Sequence, residues 1–251
     1  MSIKYGLDFI SDDDLFNHVK HTVDNWRFKI DLKKFNKNII DPIKLTFDSK
    51  IYNKSIEDII ETEVLRQIDK SNNNQLCYFY QNIFKYIGGN NWIVPKQGFE
   101  LINEDKKIYV EMKNKHNTMN SSSSQKTFIK MQNKISEDTN NICMLVEVIA
   151  SKTQNIPWQI SLDGTSIQHE RIRIISIDKF YEIVTQDNLA FYKLCSVLPK
   201  VLDDVLENIE DNIIENTVLD DLKKLYPSKD LLGQLYLLAF KTYEGFNINK
   251  K

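Results

Sequence analysis

The sequence is poor in cysteine, glycine and proline, and each shortage excludes a class of protein. Its 251 residues include three cysteines, seven glycines and five prolines. Cys77, Cys143 and Cys195 are far apart and form no C-x-x-C pair, which excludes a zinc ribbon, a thioredoxin-like site and a disulfide scaffold. The sequence contains neither G-x-G-x-x-G nor G-x-x-x-x-G-K-[ST], so we expect no binding of ATP or of a dinucleotide.

Long apolar runs are also missing. No stretch approaches the ~18 apolar residues that a membrane-spanning helix needs, and residues 1–14 carry four aspartates where a signal peptide has an apolar core. We therefore expect a soluble, cytoplasmic protein with no membrane partner. Lys and Arg total 33 and Asp and Glu total 35, so the protein has no overall basic charge that would indicate binding to nucleic acid. Between Lys85 and Lys134, however, nine lysines stand against four acids, and this segment could face a polyanion.

Hydrophobic periodicity and turn residues predict helices, then a sheet, then further helices. Helices are expected after Ser11, over 56–68 and over 75–87, with a break at 71–74. Strands are expected at 92–94, 99–102, 107–112, 142–149, 156–160 and 171–177, with a polar stretch at 114–125 leading into an amphipathic helix. Asp178 is expected to cap a helix, and the rest of the chain to Tyr243 is expected to be helical. This order favours the α/β class, with a central mixed β-sheet flanked by helices and with extra N- and C-terminal helices. We expect one elaborated domain with a helical part at 1–90, a sheet core at 91–186 and C-terminal helices at 187–251.

The most informative stretch is Gly98-Phe99-Glu100 and, after ten intervening residues, Glu111-Met112-Lys113. Alternate residues of a strand share a face, so Glu111 and Lys113 are expected to point the same way. A hairpin turn at 103–106 would bring Glu100 close to them. Hard oxygen ligands on adjacent strands suit Mg²⁺, and a lysine beside them can orient or deprotonate an attacking water.

This order of elements, with an acid before an E-x-K strand and then a helix and a buried strand, resembles the core of the PD-(D/E)XK nucleases. Segments 92–95, 98–100 and 110–122 are similar, more specifically, to the type II restriction endonucleases that cleave GGNCC. The similarity continues in Glu63-x-x-Arg66-Gln67, in 78–84 and in 178–181, so it covers the chain from about Ser55 to Leu198. The family's Pro-Asp is Phe99-Glu100 here, and glutamate reaches one methylene further than aspartate.

The resemblance implies a Mg²⁺-dependent, ATP-independent type II restriction endonuclease that hydrolyses double-stranded DNA at a short palindrome, GGNCC, and leaves 5′-phosphates. By the same resemblance, Glu100 and Glu111 would bind Mg²⁺ and Lys113 would position the water. Such nucleases often recruit another acid from the preceding helix; Glu63 is the first candidate here, and Glu57 and Glu61 compete with it. Identical subunits reading a palindrome imply a homodimer. A cognate DNA methyltransferase is expected as a genetic partner that does not form a stable complex.

Reading of the DNA sequence needs polar side chains in the major groove. The candidates follow the E-x-K strand, lie on the next helix or fall within 152–173: Asn114, Lys115, His116, Asn117, Thr118, Lys126, Gln154, Asn155, Gln159, Arg171 and Arg173. Many of them would contact phosphates and so position the DNA without reading its sequence. Two alternatives stay open. One is a repair or junction-resolving nuclease of the same superfamily, and the other is a non-catalytic DNA-binding protein on this fold, against which the presence of both Glu111 and Lys113 argues.

Overall fold

A computed structural model describes residues 5–87, 89, 91–162, 164–207, 214–225 and 227–246. The helices in this part of the chain are α1 Asp12–Asp24, α2 Leu32–Lys37, α3 Pro42–Tyr52, α4 Ile56–Asn82, α5 Ser121–Glu137, α6 Ile177–Thr185, α7 Ala190–Leu206, α8 Val218–Leu225 and α9 Leu231–Phe240. The strands are β1 Lys29–Ile30, β2 Leu101–Asn103, β3 Ile108–Lys115, β4 Ile142–Ile149, β5 Asn155–Leu162, β6 Thr165–Ser176 and β7 Glu215–Asn216. A 3₁₀ turn, Ile83–Tyr86, follows α4.

Five strands form one mixed sheet in the order β2-β3-β4-β6-β5. β3, β4 and β6 are mutually parallel, while β2 pairs antiparallel with β3 and β5 pairs antiparallel with β6. β4 is the central strand, as its nearly continuous apolar sequence predicts. Helices pack against this sheet, so the predicted α/β class with a central mixed sheet is confirmed.

The face of the sheet that α5 covers carries an apolar cluster near the E-x-K strand. Phe128 and Met131 of α5 are fully buried against Tyr109 and Leu145 of the sheet, and the ring of Trp158 on β5 lies 5.6 Å from that of Phe128. Phe128, Met131 and Ile135 recur at the spacing of one helix face. This packing fixes α5 across the strand that carries Glu111 and Lys113.

The described residues form two compact units, each built from segments that are distant in the sequence. One unit takes its residues from 1–24 and 76–208 and contains the five-stranded sheet; we call it the sheet unit. The other takes its residues from 25–75 and 209–251 and contains a parallel two-stranded sheet of β1 and β7. The boundaries of these units differ from those of the three consecutive parts expected from the sequence, because each unit combines two segments that are distant in the sequence. The expectation of one elaborated domain stays a prediction.

The helix break predicted at 71–74 is wrong, because α4 runs through it without interruption. Asparagine and serine interrupt helices when their side chains bond to the local backbone. Here the Asn72 side chain accepts from the backbone N–H of Arg27 at 2.8 Å, and Asn73 donates to the carboxylate of Asp69 at 2.9 Å. With these partners, the run of polar residues stays helical.

Other element bounds differ from the sequence expectation in smaller ways. The chain from 178 to 243 is not wholly helical, since β7 pairs with β1. The predicted cap Asp178 is wrong, because the N-cap of α6 is Ser176 and Asp178 lies in the first turn of the helix. α5 already begins at Ser121, inside the predicted polar stretch, because the Asn120 side chain caps it by accepting from the N–H of Ser123 at 2.9 Å. Of segment 92–94, only Ile93 pairs with the sheet, through an isolated bridge. Among the described helices, none is both long and apolar enough to cross a membrane.

Candidate active site

A tight hairpin between β2 and β3 places Glu100 beside the E-x-K strand. The Asn103 side chain accepts from the N–H of Lys106 at 2.9 Å, and the turn closes with a backbone bond of 3.1 Å from Lys107 to Glu104. Lys107 adopts a positive φ of 53°, which the turn requires. Glu100 lies just before β2, and its backbone N–H bonds to the carbonyl of Val110 at 3.0 Å.

The structure brings the side chains of Glu100, Glu111 and Lys113 together. The Lys113 Nζ lies 3.3 Å from Oε1 of Glu100 and 3.6 Å from Oε2 of Glu111. The other oxygen of Glu100, Oε2, accepts from the backbone N–H of Met112 at 2.5 Å. The two carboxylates therefore face one ammonium at the middle of β3.

A fourth charged side chain, that of Lys130 on α5, belongs to this cluster and was missed from the sequence. Its ammonium forms an ion pair with Glu111, donates to the carbonyl of Gly98 at 2.8 Å and lies 4.4 Å above the ring of Phe99. The signal that could have found it is the spacing of Lys126, Lys130 and Lys134, which repeats every four residues along the helix that follows the E-x-K strand.

The two carboxylates fit a hard divalent cation that also binds substrate. Among the described residues, no group of three or more His, Cys, Asp and Glu side chains is placed to hold a metal ion. Mg²⁺ commonly uses only one or two protein carboxylates and takes its other ligands from water and from a substrate phosphate. Because Glu100 and Glu111 converge on the same point, they can supply that number of protein oxygens.

Two titratable groups border the cluster. Glu147 on β4 pairs in register with Lys113 and is only 5% exposed. Burial raises the pKa of Glu147 above its ordinary value, although the nearby His116 lowers it. Burial also raises the pKa of the Cys77 thiol near the end of α4; the charge of Glu100 raises it further and that of Lys113 lowers it.

Glu63 lies in the unit that contains the two-stranded sheet, and so do its competitors Glu57 and Glu61, which are exposed on α4. The Glu63 carboxylate accepts two hydrogen bonds from Arg66, at 2.6 and 2.7 Å, and one from Gln67 at 3.0 Å. Burial raises the pKa of Glu63, but these hydrogen bonds outweigh it and the net pKa is lowered. Its role as an additional catalytic acid stays a prediction.

The first predicted DNA-reading segment ends β3 and forms the loop before α5. Lys115, His116, Asn117 and Thr118 are exposed, and Asn114 is half-buried. Hydrogen bonds to backbone carbonyls hold the loop. The backbone N–H of His116 donates to the carbonyl of Ile149 at 3.1 Å, and the Thr118 hydroxyl donates to the carbonyl of Lys115 at 2.8 Å. These side chains follow Lys113 directly along the strand.

The second segment includes side chains that bond within the β5–β6 ribbon. Arg173 donates to the side chain of Asn155 at 2.6 Å and to its carbonyl at 2.5 Å, and so joins the two strands. Gln159 donates to the hydroxyl of Ser166 at 2.5 Å. Three further candidates complete the set: Arg171 is exposed and donates to the carbonyl of Asn140, Gln154 is half-buried, and Lys126 is exposed on α5.

Comparison with known proteins gives a consistent result over most of the chain. The family model described as Eco47II restriction endonuclease matches residues 7–207. The type II restriction enzyme Sau96I of Staphylococcus aureus is 33% identical over 215 residues, which cover 81% of this chain and 82% of that protein. The type II restriction enzyme Eco47II of Escherichia coli is 29% identical over 210 residues, which cover 78% of this chain and 87% of that protein. The matched range includes both carboxylates and both lysines of the cluster.

Proposed function

Because the chain belongs to the Eco47II restriction endonuclease family and is a type II site-specific deoxyribonuclease, we propose that Glu100, Glu111 and Lys113 form its active site on a PD-(D/E)XK core. The observation that carries this proposal is the convergence of both carboxylates on the Lys113 ammonium, at 3.3 and 3.6 Å. The E-x-K strand and the acid on the preceding hairpin strand supply these groups, as the nuclease chemistry requires.

The substrate is double-stranded DNA, and the proposed site is the palindrome GGNCC. This proposal is supported by the similarity of segments 92–95, 98–100 and 110–122 to the GGNCC-cleaving enzymes. It is also supported by the 33% sequence identity with the Sau96I enzyme over 81% of this chain. Identical subunits acting on a palindrome would place one active site on each strand, so we propose a homodimer. A methyltransferase that modifies the same site would protect the host DNA.

Glu100 and Glu111 would hold the divalent cation, which we propose to be Mg²⁺. When bound, this ion would polarise the scissile phosphate and lower the pKa of a water. Lys113, fixed between the two carboxylates, can hydrogen-bond the attacking water and stabilise the negative charge on the phosphate oxygens. The water oxygen bonds to phosphorus in line with the departing 3′ oxygen and releases a proton to solvent, while the P–O3′ bond breaks and the 3′ oxygen takes up a proton from solvent. The products are a 3′-hydroxyl and a 5′-phosphate.

Exposed side chains next to this site are proposed to contact the DNA. Lys115, His116 and Asn117 follow Lys113 along the chain, and Lys126 lies on the helix after them. Lysine and asparagine suit guanine and adenine edges respectively, and both also bind phosphates. Arg173, which joins β5 to β6, would act mainly by fixing the ribbon.

The test is the position of the cuts. The purified protein is incubated with a plasmid that contains a few GGNCC sites and with a matched plasmid from which they have been removed, each in Mg²⁺ and in EDTA, and the fragment ends are sequenced. We expect Mg²⁺-dependent cuts confined to GGNCC with 5′-phosphate ends. Cuts that follow DNA structure rather than sequence, or cutting in EDTA, would overturn the proposal.

A further inference from the structure

The ammonium of Lys130 is a second cation inside the cluster, outside the E-x-K pattern. Its ion-pair partner, Glu111, has a side chain only 9% exposed, while the Lys130 side chain is 36% exposed. Lys130 therefore reaches inward from α5 to a carboxylate that is largely shielded from water. In such a position an ion pair is screened less by solvent than one at the surface.

Lys130 also connects the two segments that carry the acids. It donates to the carbonyl of Gly98, two residues before Glu100, while its ammonium pairs with Glu111 on β3. The Phe99 ring beneath the ammonium adds a cation–π contact at 4.4 Å. One side chain thus ties α5 both to β3 and to the segment just before β2 that carries Glu100.

The charges of the cluster balance before a metal binds. Glu100 and Glu111 contribute two negative charges, and Lys113 and Lys130 contribute two positive ones; Lys113 pairs with both carboxylates and Lys130 pairs with Glu111. An arriving divalent cation must share the oxygens of Glu111 with the Lys130 ammonium and is repelled by it. The same contact that orders the carboxylate therefore opposes binding of the metal.

We propose that Lys130 is a positioning residue that holds the Glu111 carboxylate in its catalytic orientation and raises the concentration of divalent cation that the enzyme requires. This inference rests on the proposed function, because it assigns Glu111 to the metal. Lys130 acts through Glu111 and does not itself contact the reacting atoms.

The same helix supplies a matched control one turn later. The ammonium of Lys134 lies 4.3 Å above the ring of Tyr109, much as that of Lys130 lies above the ring of Phe99. Lys134 forms its ion pair with Glu137, at 2.6 Å, and the side chain of Glu137 is 63% exposed. Loss of Lys134 removes a lysine with the same helix and ring environment and leaves Glu111 and its partners in place.

The experiment measures Mn²⁺ binding to the full chain without DNA, by the loss of the free Mn²⁺ signal in electron paramagnetic resonance. For Lys130→Met we expect the dissociation constant to fall about tenfold, because one repelling charge is removed. Lys130→Gln, which can still donate to Gly98, should shift it in the same direction, and Lys130→Arg should restore the wild-type value. Lys134→Met should bind like the wild type, and Glu111→Gln should bind more weakly.

A cleavage assay at saturating Mg²⁺ tests the positioning part. Lys130→Met should then cut about ten- to a hundredfold more slowly, because the carboxylate is less well fixed. The inference is overturned if Lys130→Met binds Mn²⁺ no more tightly than Lys134→Met, or if it cuts at the wild-type rate once saturated. If Glu111→Gln binds Mn²⁺ and cuts like the wild type, the proposed function itself fails, which separates the two results.

Discussion

Replacing Glu147 by glutamine is expected to stabilise the sheet unit at alkaline pH. Glu147 is 5% exposed at the centre of the sheet, on β4 between β3 and β6, and burial raises its pKa above the ordinary value of 4.5. A group whose pKa is raised by folding binds more protons in the folded state than in the unfolded state. Folding stability therefore falls as the pH rises from the unfolded pKa through the folded pKa. Above that window, the full cost of burying the charge is present.

Glutamine keeps the shape of the carboxyl group and removes its charge. An unsatisfied buried polar group costs about 1–3 kcal/mol and a charged one costs more, so we expect Glu147→Gln to increase the free energy of unfolding by on the order of 1 kcal/mol near pH 8. The gain should shrink as the pH falls and vanish at and below the ordinary carboxyl pKa. Glu137→Gln is the matched control, because Glu137 is 63% exposed and its surface ion pair should contribute little.

The assay is urea denaturation followed by tryptophan fluorescence at several pH values. In a Trp26→Phe background, the signal comes from Trp92 and Trp158, which are both buried in the sheet unit that contains Glu147. A destabilised Glu147→Gln variant at about pH 8, or a difference that does not change with pH, would refute the reasoning. Either result would mean that burial does not destabilise the charged carboxylate in the folded state.

Two further predictions concern Cys77, beside the cluster, and Arg173, in the β5–β6 ribbon. In a Cys195→Ser background, Glu100→Gln should speed the alkylation of Cys77 by iodoacetamide, because the charge of Glu100 raises the pKa of the thiol, and Lys113→Met should slow it, because the charge of Lys113 lowers that pKa. Mass spectrometry at fixed pH measures the alkylation rates, and unchanged rates would contradict the placement of the cluster. Arg173→Met should lower the free energy of unfolding by about 1–3 kcal/mol, because it leaves the side-chain and backbone oxygens of Asn155 on β5 without this donor. The affinity for DNA should stay nearly unchanged, and a large loss of affinity in a stable variant would instead favour direct contact of Arg173 with DNA.

The central hairpin and its flanking elements could be predicted because their signals are local. Strand alternation set Glu111 and Lys113 on one face, and the turn at 103–106 determined which residue of the first strand faces them. The stripe of Phe128, Met131 and Ile135 likewise indicated how α5 packs. These features depend on neighbours within a few residues or on a single hairpin.

The features that were missed depend on partners far away in the sequence. β1 and β7 are each two residues long and pair across the chain, Lys29 with Glu215 and Ile30 with Asn216, so neither has a periodic pattern of its own. The role of Lys130 likewise follows only from the crossing of α5 over β3. A lysine on an amphipathic helix is typically a solvated residue, and its ion pair with Glu111 is a tertiary contact that local sequence does not encode.

Family membership decides between the functions that the residues left open. The prediction of a type II restriction endonuclease is confirmed by the family match and by both relatives, which favours it over a junction-resolving nuclease and over a non-catalytic DNA-binding protein. The individual catalytic roles rest on geometry and are open to direct measurement.

The most direct measurement is the single-turnover cleavage rate of Lys113→Met on a duplex with one GGNCC site, with enzyme in excess and Mg²⁺ saturating. Binding of the same duplex in Ca²⁺ is measured in parallel, with Lys134→Met as the control. The account predicts that Lys113→Met cuts slower by about a hundredfold or more while it binds the duplex as the wild type does. A Lys113→Met enzyme that binds normally and cuts within about tenfold of the wild-type rate would contradict the assignment of this cluster as the active site.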